Sequence, residues 1–216
     1  MAAKLWAAGL AVMLAACTTS VPGHPTTVAG PPPAPRKPPP SARDLLLHDG
    51  DRTPMGPATT APRGDELFTS ARPPECLAAL VFKDSPLLPT NASDHADASY
   101  RVGSSALYAE SVDVYGRPLD PHDVVWNGFS AVSACNGEAV GVAPTGDSAP
   151  MRLRRFAVAD DGVLVWAMNA PGRTCDYGLT VVPRAALLIT ACDIESGVDM
   201  GDWASTRRQQ LMSRVA

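Results

Sequence analysis

The residues equipped for chemistry are few and scattered. "DHADAS" (94–99) places Asp94, His95 and Asp97 within four positions, offering two carboxylates and an imidazole to a cation. Neighbouring polar residues without a rigid frame preorganise poorly, so the segment reads as a solvated loop rather than a metal site. Arg152, Arg154 and Arg155 form a second group. On a strand, Arg152 and Arg154 share one face and Arg155 takes the other. Paired guanidinium groups can hold a phosphate or carboxylate, which makes Arg152 and Arg154 candidate ligand-binding residues. The plainer reading is an exposed, solubilising face. Trp166 alternates with Leu164 and Met168 and faces either the core or a cleft; it is the third candidate. No H-E-x-x-H, G-x-S-x-G or phosphate-binding loop occurs. The nearest approach, "NGFSAVS" (127–133), falls within a helical pattern rather than at a strand-to-helix elbow. The expectation is a protein that is not an enzyme, with no catalytic residue, cofactor or metal.

Cys17 does carry a chemical expectation. Before it stand Lys4, the apolar run "LWAAGLAVMLAA" (5–16) and the small residues Ala15 and Ala16. Positive charge, apolar run and small-residue exit are the three parts of a secretory signal peptide. The run is shorter than the roughly 20 residues that span a bilayer. Leu14-Ala15-Ala16-Cys17 resembles the bacterial lipobox, which implies cleavage before Cys17 and diacylglycerol on its sulfur. At about 0.8 kcal/mol per buried methylene, two or three acyl chains such as palmitate hold a protein firmly on a membrane. Residues 18–40 contain nine prolines and no acidic group. Such a segment cannot bury enough surface to fold and suits a semi-rigid spacer. The expected organisation is a signal peptide (1–16), a lipidated N-terminus and spacer (17–62), and an extracytoplasmic domain (63–216).

From Asp65 onward there are 12 Arg or Lys against 19 Asp or Glu, a net of −7. That balance argues against nucleic-acid binding, which wants a basic footprint. With Cys17 lipidated, Cys76, Cys135, Cys175 and Cys192 remain in an oxidising compartment, and two disulfides are expected. Three pairings are open. "TCDYGLTVV" (174–182) and "AALLITACD" (185–193) read as strands joined by Pro183-Arg184. In a two-residue turn Val182 faces Ala185, and counting outward Cys175 faces Cys192. That position is a non-hydrogen-bonded pair with Cα atoms about 4.5 Å apart, within disulfide reach. Proline fits the favoured primed hairpin turns poorly, so the register has room to slip. Cys76 and Cys135 then pair by elimination. Zinc is disfavoured because no C-x-x-C occurs and no histidine lies near a cysteine.

These residues must be positioned by a small set of elements. "DLLLHDGDRTPMG" (44–56) is a short apolar cluster among turn residues, suited to an edge element. "PPECLAALVF" (73–82) opens with prolines and carries Leu77, Leu80 and Val81 at helical spacing. "SSALYAESVDVYG" (104–116) reads as a strand. Residues 120–135 form a helix with Asp120 as cap and Val125, Phe129 and Val132 as its apolar stripe. Strands at 151–159, 162–170, 174–182 and 185–193 are joined by short turns, which favours an antiparallel meander. A last helix covers 198–215, with Met200, Trp203, Arg207, Leu211 and Val215 along one flank. The fold class is α+β: an antiparallel meander with helices packed on one face and two disulfides.

One resemblance runs through these elements. "PPEC" (73–76), "YAESVDVY" (108–115), a Trp-bearing helix leading to "SAC" (133–135), "TCDYGLTVV" (174–182), "ITAC" (189–192) and a final helix with "RRQQL" (207–211) occur in that order. Together they resemble the extracellular PknH-like sensor domain, found on mycobacterial receptor kinases and on stand-alone mycobacterial lipoproteins. The resemblance covers about residues 65–216. It implies an α+β domain with two disulfides and a cleft for an unidentified ligand. The chain contains no kinase segment, so a signalling role would need a partner. The expected function is a lipoprotein, lipid-anchored at the extracytoplasmic face of the cell membrane, whose domain binds an envelope glycan or lipid in a cleft. The alternative is a protein-interaction module that docks to a receptor or envelope assembly.

Overall fold

The computed structural model describes residues 40–61, 65–103, 106–193 and 198–215. Cys17, the expected signal peptide and residues up to 39 lie outside the described residues. The chain first forms α1 (Ala42–Leu45), a small hairpin of β1 (Arg52–Thr53) and β2 (Gly56–Pro57), then β3 (Thr59–Ala61) and β4 (Ser70–Arg72). A 3-10 turn (Pro74–Cys76) leads into α2 (Leu77–Leu80). Next come β5 (Asp94–Val102), β6 (Ala106–Val114), α3 (Pro121–Ser133), β7 (Glu138–Ala143) and β8 (Gly146–Asp147). The chain finishes with β9 (Met151–Asp160), β10 (Val163–Ala170), β11 (Arg173–Val182), β12 (Ala185–Asp193) and α4 (Met200–Val215). Among the described residues a ten-stranded sheet runs β3-β5-β6-β12-β11-β10-β9-β7-β4, with β8 beside β7.

The meander β9 to β12 follows the expected order, and its turns explain its register. Pro171-Gly172 joins β10 to β11 with Gly172 at φ 73°. Proline followed by a positive-φ glycine is the signature of a type II turn. Pro183-Arg184 joins β11 to β12 with Val182 opposite Ala185 and Cys175 opposite Cys192. Outside contacts hold this turn: Leu119 N donates to Pro183 O, Tyr115 N to Arg184 O, and the Arg184 guanidinium to Gly116 O. Cys175 and Cys192 are disulfide-bonded with Cα atoms 4.0 Å apart. Cys76–Cys135, Cα atoms 4.5 Å apart, ties the turn before α2 to the end of α3.

The helices flank both faces of the sheet, which corrects the expectation of one covered face. Gly128 of α3 lies so close to the sheet that a Cβ there would stand 3.2 Å from Leu164 and 3.4 Å from Leu179. Gly178, the neighbour of Leu179 on β11, meets α4 instead: a Cβ would stand 3.2 Å from Ala204 and from Met200. Adjacent strand residues point to opposite faces, so α3 and α4 sandwich the sheet. The cause is legible in β12, where Ala185 through Cys192 are all buried, a pattern that needs cover on both sides. One core gathers Leu164, Trp166, Met168, Tyr177 and Leu179 beneath α2 and α3. The other gathers Tyr100, Tyr108, Val112, Leu187 and Ile189 beneath α1 and α4.

The domain begins near residue 40, not at 63. Ser41 caps α1 in a reciprocal capping box with Asp44, and Ala42 and Leu45 are fully buried in the second core. β3 adds a strand beside β5. Two further expectations shift. The helix expected over 73–82 contracts to the 3-10 turn and α2, and "DHADAS" is the start of β5 rather than a loop.

Candidate functional site

β6 is buried along its whole length, yet it changes character on the face beneath α2 and α3. Leu107 and Ala109 belong to the apolar core. The next two residues on that face are Ser111 and Asp113, and β5 sets Asp97 opposite Ser111 and His95 opposite Asp113. A polar quartet therefore continues the core toward the sheet edge. The segments around Leu67 and Thr69, the Phe82-Lys83-Asp84 loop and Pro144 close over it, leaving a cavity of about 210 Å³. Phe82 and Leu67 are buried and supply an apolar wall. Asp65, Lys83, Asp84, His95, Asp97 and Ser111 supply the polar lining. Asp84 sits at φ 55°, in the left-handed region that non-glycine residues seldom occupy.

The hydrogen bonding within the cavity is uneven. His95 Nδ1 lies 2.6 Å from Asp113 Oδ1, and Nε2 lies 3.4 Å from Asp97 Oδ1. Tyr115 donates its hydroxyl to Asp113 Oδ2 at 3.2 Å and to Pro89 O at 2.8 Å. Partial burial disfavours the imidazolium, but hydrogen bonding and charge from Asp113, then Asp97, outweigh it and raise the His95 pKa above its ordinary 6.5. Ser111 differs from its neighbours: it is 1 % exposed, and its hydroxyl has no partner among the described residues. A buried hydroxyl without a partner costs about 1–3 kcal/mol. Ser111 is one of the residues that line the cavity.

The residues singled out in sequence fare differently. Of the "DHADAS" trio, His95 and Asp97 share the cavity, while Asp94 points to the opposite face and accepts from Ala42 N at 2.7 Å. Strand alternation breaks up the three-ligand set. Arg152 and Arg154 line a separate cavity of about 250 Å³ with Ser133, Asn136 and Phe156. There Arg152 is engaged by Glu138, donating from Nε at 3.2 Å and from a terminal nitrogen at 2.8 Å. Arg154 falls at a bulge, since Arg155 pairs with Ala167 and Leu153 with Met168. Trp166 belongs to neither cavity as a binding group. It is 2 % exposed, donates Nε1–H to Ala79 O at 2.9 Å and stacks on Tyr177 with centroids 5.1 Å apart. The three do not form one site. Ser111 and Asp113 were readable only as strand residues; the signal was two polar side chains on an otherwise apolar face of a central strand.

No protein-family model matches the sequence. Curated relatives do match. "Putative lipoprotein LprH" of Mycobacterium tuberculosis and of Mycobacterium bovis is 56% identical over 204 residues, covering 94% of this chain and 90% of the relative. The chain belongs to the LprH lipoprotein family. The crystal structure of the extracellular domain of PknH from Mycobacterium tuberculosis superposes with a TM-score of 0.62 at 12% identity, covering 80% of this chain and 95% of that one. At that identity the likeness establishes the fold, and the fold is that of the PknH extracellular domain. The resemblance read from the order of the cysteine-bearing segments holds in both respects.

Proposed function

We propose that this LprH-family protein is anchored through lipid on Cys17 at the extracytoplasmic face of the membrane and binds a terminal sugar of an envelope glycan. The site is the cavity lined by His95, Asp97, Ser111, Lys83 and Asp84. One observation carries this reading: Ser111, whose buried hydroxyl has no partner among the described residues, lines the cavity beside the paired His95 and Asp97. A sugar hydroxyl that meets Ser111 restores the missing hydrogen bond, while carboxylates accept from further hydroxyls and Phe82 and Leu67 form an apolar wall. At about 210 Å³ the cavity is smaller than the roughly 300–1,000 Å³ of sites for drug-sized ligands. Its size and carboxylates favour one polar ring over an acyl chain. This role is binding, with no catalytic step.

The test is ligand-observed NMR of the mature chain with a panel of mono- and disaccharides. Native mass spectrometry of the lipidated protein, run in parallel, searches for a bound sugar. Ser111→Ala and Asp97→Asn should abolish the signal without unfolding the domain. A panel and a native preparation that both show no carbohydrate would overturn the assignment. Anchoring is tested separately: Cys17→Ser should leave an uncleaved precursor or release the protein from the membrane fraction.

A further inference from the structure

The cavity beside Ser111 has a floor and a rim of different character. Ser111, Leu67 and Phe82 are buried, whereas Asp65, Lys83, Asp84, His95 and Asp97 are open to solvent. A sugar ring standing on the floor presents its remaining substituents to these charged side chains. The charge of the rim therefore selects among sugars.

The rim stays acidic when its basic groups are set against their neighbours. His95 is already shared by two carboxylates, Asp113 at 2.6 Å and Asp97 at 3.4 Å. Lys83 is the other basic group, next in sequence to Asp84. Four acidic side chains, Asp65, Asp84, Asp97 and Asp113, thus stand against two basic ones. Among the described residues Asp65, Lys83 and Asp84 enter no ion pair and no side-chain hydrogen bond. Asp84 is also fixed at φ 55°, a backbone conformation that Asn and Asp tolerate better than other side chains.

Acidic groups alone would mark only a solvated rim. The Ser111 hydroxyl, 1 % exposed and without a partner among the described residues, is a separate observation on the same cavity. It calls for a hydroxyl at the floor, while the rim calls for a cation. One small molecule supplies both. On the footing that the cavity binds a sugar, as proposed above, we infer that it selects a cationic amino sugar, with a hydroxyl at Ser111 and the ammonium group among Asp84, Asp97 and Asp65. An ammonium group donates to a carboxylate in a charge-assisted hydrogen bond, stronger than the one a hydroxyl makes at the same position. Because the rim is open to solvent, the gain is that of an exposed ion pair and not of a buried one. Lys83 opposes the ammonium group and limits the preference.

The test is a titration of matched ligands by ligand-observed NMR, using the mature chain (residues 17–216) with Cys17→Ser to remove the acyl groups. Each amino monosaccharide is compared with its parent, which carries a hydroxyl in place of the ammonium group. The amino sugar should bind about threefold to tenfold more tightly at low ionic strength. Added salt should shrink that ratio, since exposed charge pairs are screened. The matching uronic acid, with a carboxylate in place of the hydroxymethyl group, should bind more weakly than the parent. Asp84→Asn keeps the side-chain shape and suits the same backbone conformation. It should lower the ratio of the two affinities toward one, and Lys83→Gln should raise it. Each ratio is taken within one protein, so a partial loss of folded material cancels. Parents that bind as tightly as their amino sugars would overturn this inference and leave sugar binding standing. So would a ratio indifferent to both variants, or tighter binding of the uronic acid. A panel in which no sugar of any charge binds would overturn both.

Discussion

Arg207 of α4 meets Glu110 of β6 in a two-pronged ion pair inside the second core, Nε to Oε1 at 2.7 Å and a terminal nitrogen to Oε2 at 2.9 Å, with both side chains at most 1 % exposed. Further hydrogen bonds surround the pair. Glu110 accepts from the Tyr108 hydroxyl at 2.7 Å and from Leu47 N at 3.1 Å, while Trp203 Nε1 donates to Tyr108 at 2.8 Å. Arg207 donates to Leu45 O at 2.8 Å and to the side chain of Gln210. Breaking such a pair leaves an uncompensated buried charge. Arg207→Met and Glu110→Leu should each cost about 3–5 kcal/mol in urea denaturation. The double variant should recover much of that loss, because two well-packed apolar side chains avoid the desolvation penalty. Equal losses in the single and double variants would show that the surrounding hydrogen bonds, not the charges, carry the stability.

The same network fastens residues 41–47. Leu45 O and Leu47 N bind Arg207 and Glu110, and Tyr100 donates to Leu47 O at 2.6 Å. A chain beginning at residue 40 should therefore match the mature protein in melting and denaturant midpoint. One beginning at residue 64 should lose several kcal/mol, since it exposes Tyr100 and Glu110 and removes the buried Leu45 and Leu46. An unchanged midpoint for the shorter chain would mean that the segment rests on the domain without supporting it.

These contacts also mark where sequence reading ran out. The strands of the meander and α3 were legible because they are long, periodic and bounded by turn residues. Residues 41–61 were assigned to the spacer because each local feature is short. What makes "DLLL" part of the domain is a partner far along the chain, Arg207, and spacing within one segment cannot reveal that. Arg207 itself was read along one flank of the last helix, but Glu110 was passed over among apolar neighbours. β5 was lost for a related reason: its cavity face carries His95 and Asp97 where an apolar alternation would have marked a strand. The residues that hide a strand from periodicity are those that line the cavity.

The two disulfides close loops of different size, and their removal should be unequal. Cys175–Cys192 spans 17 residues and Cys76–Cys135 spans 59. Chain entropy gives roughly 3 kcal/mol for the first and about 4 kcal/mol for the second. Replacing Cys76 and Cys135 by alanine should thus lower stability more than replacing Cys175 and Cys192, and should loosen α2 from α3. Hydrogen exchange of α2 in the Cys76→Ala, Cys135→Ala variant checks this. Protection retained there, with a loss no larger than for the hairpin pair, would show that core contacts alone hold α2.

His95 should make the domain weakly sensitive to pH in a definite sense. Asp113 and Asp97 raise its folded pKa above the ordinary 6.5, despite the opposing effect of burial. A base whose pKa rises on folding stabilises fully below its unfolded pKa, and the contribution is lost as pH climbs through the folded value. Asp65, Lys83 and Asp84 face the same cavity from the other packed segments. His95 keeps 45% of its side-chain surface in solvent, so screening holds the effect under about 1 kcal/mol. The difference in stability between the native protein and His95→Gln should be largest near pH 5.5 to 6 and shrink through neutrality to alkaline pH. Proton–carbon NMR of the imidazole should show a His95 midpoint above the ordinary 6.5. A His95 midpoint at or below 6.5 would mean that burial prevails over Asp113. The cavity would then present a neutral imidazole, able to accept from a sugar hydroxyl, where the raised pKa supplies a cation that donates.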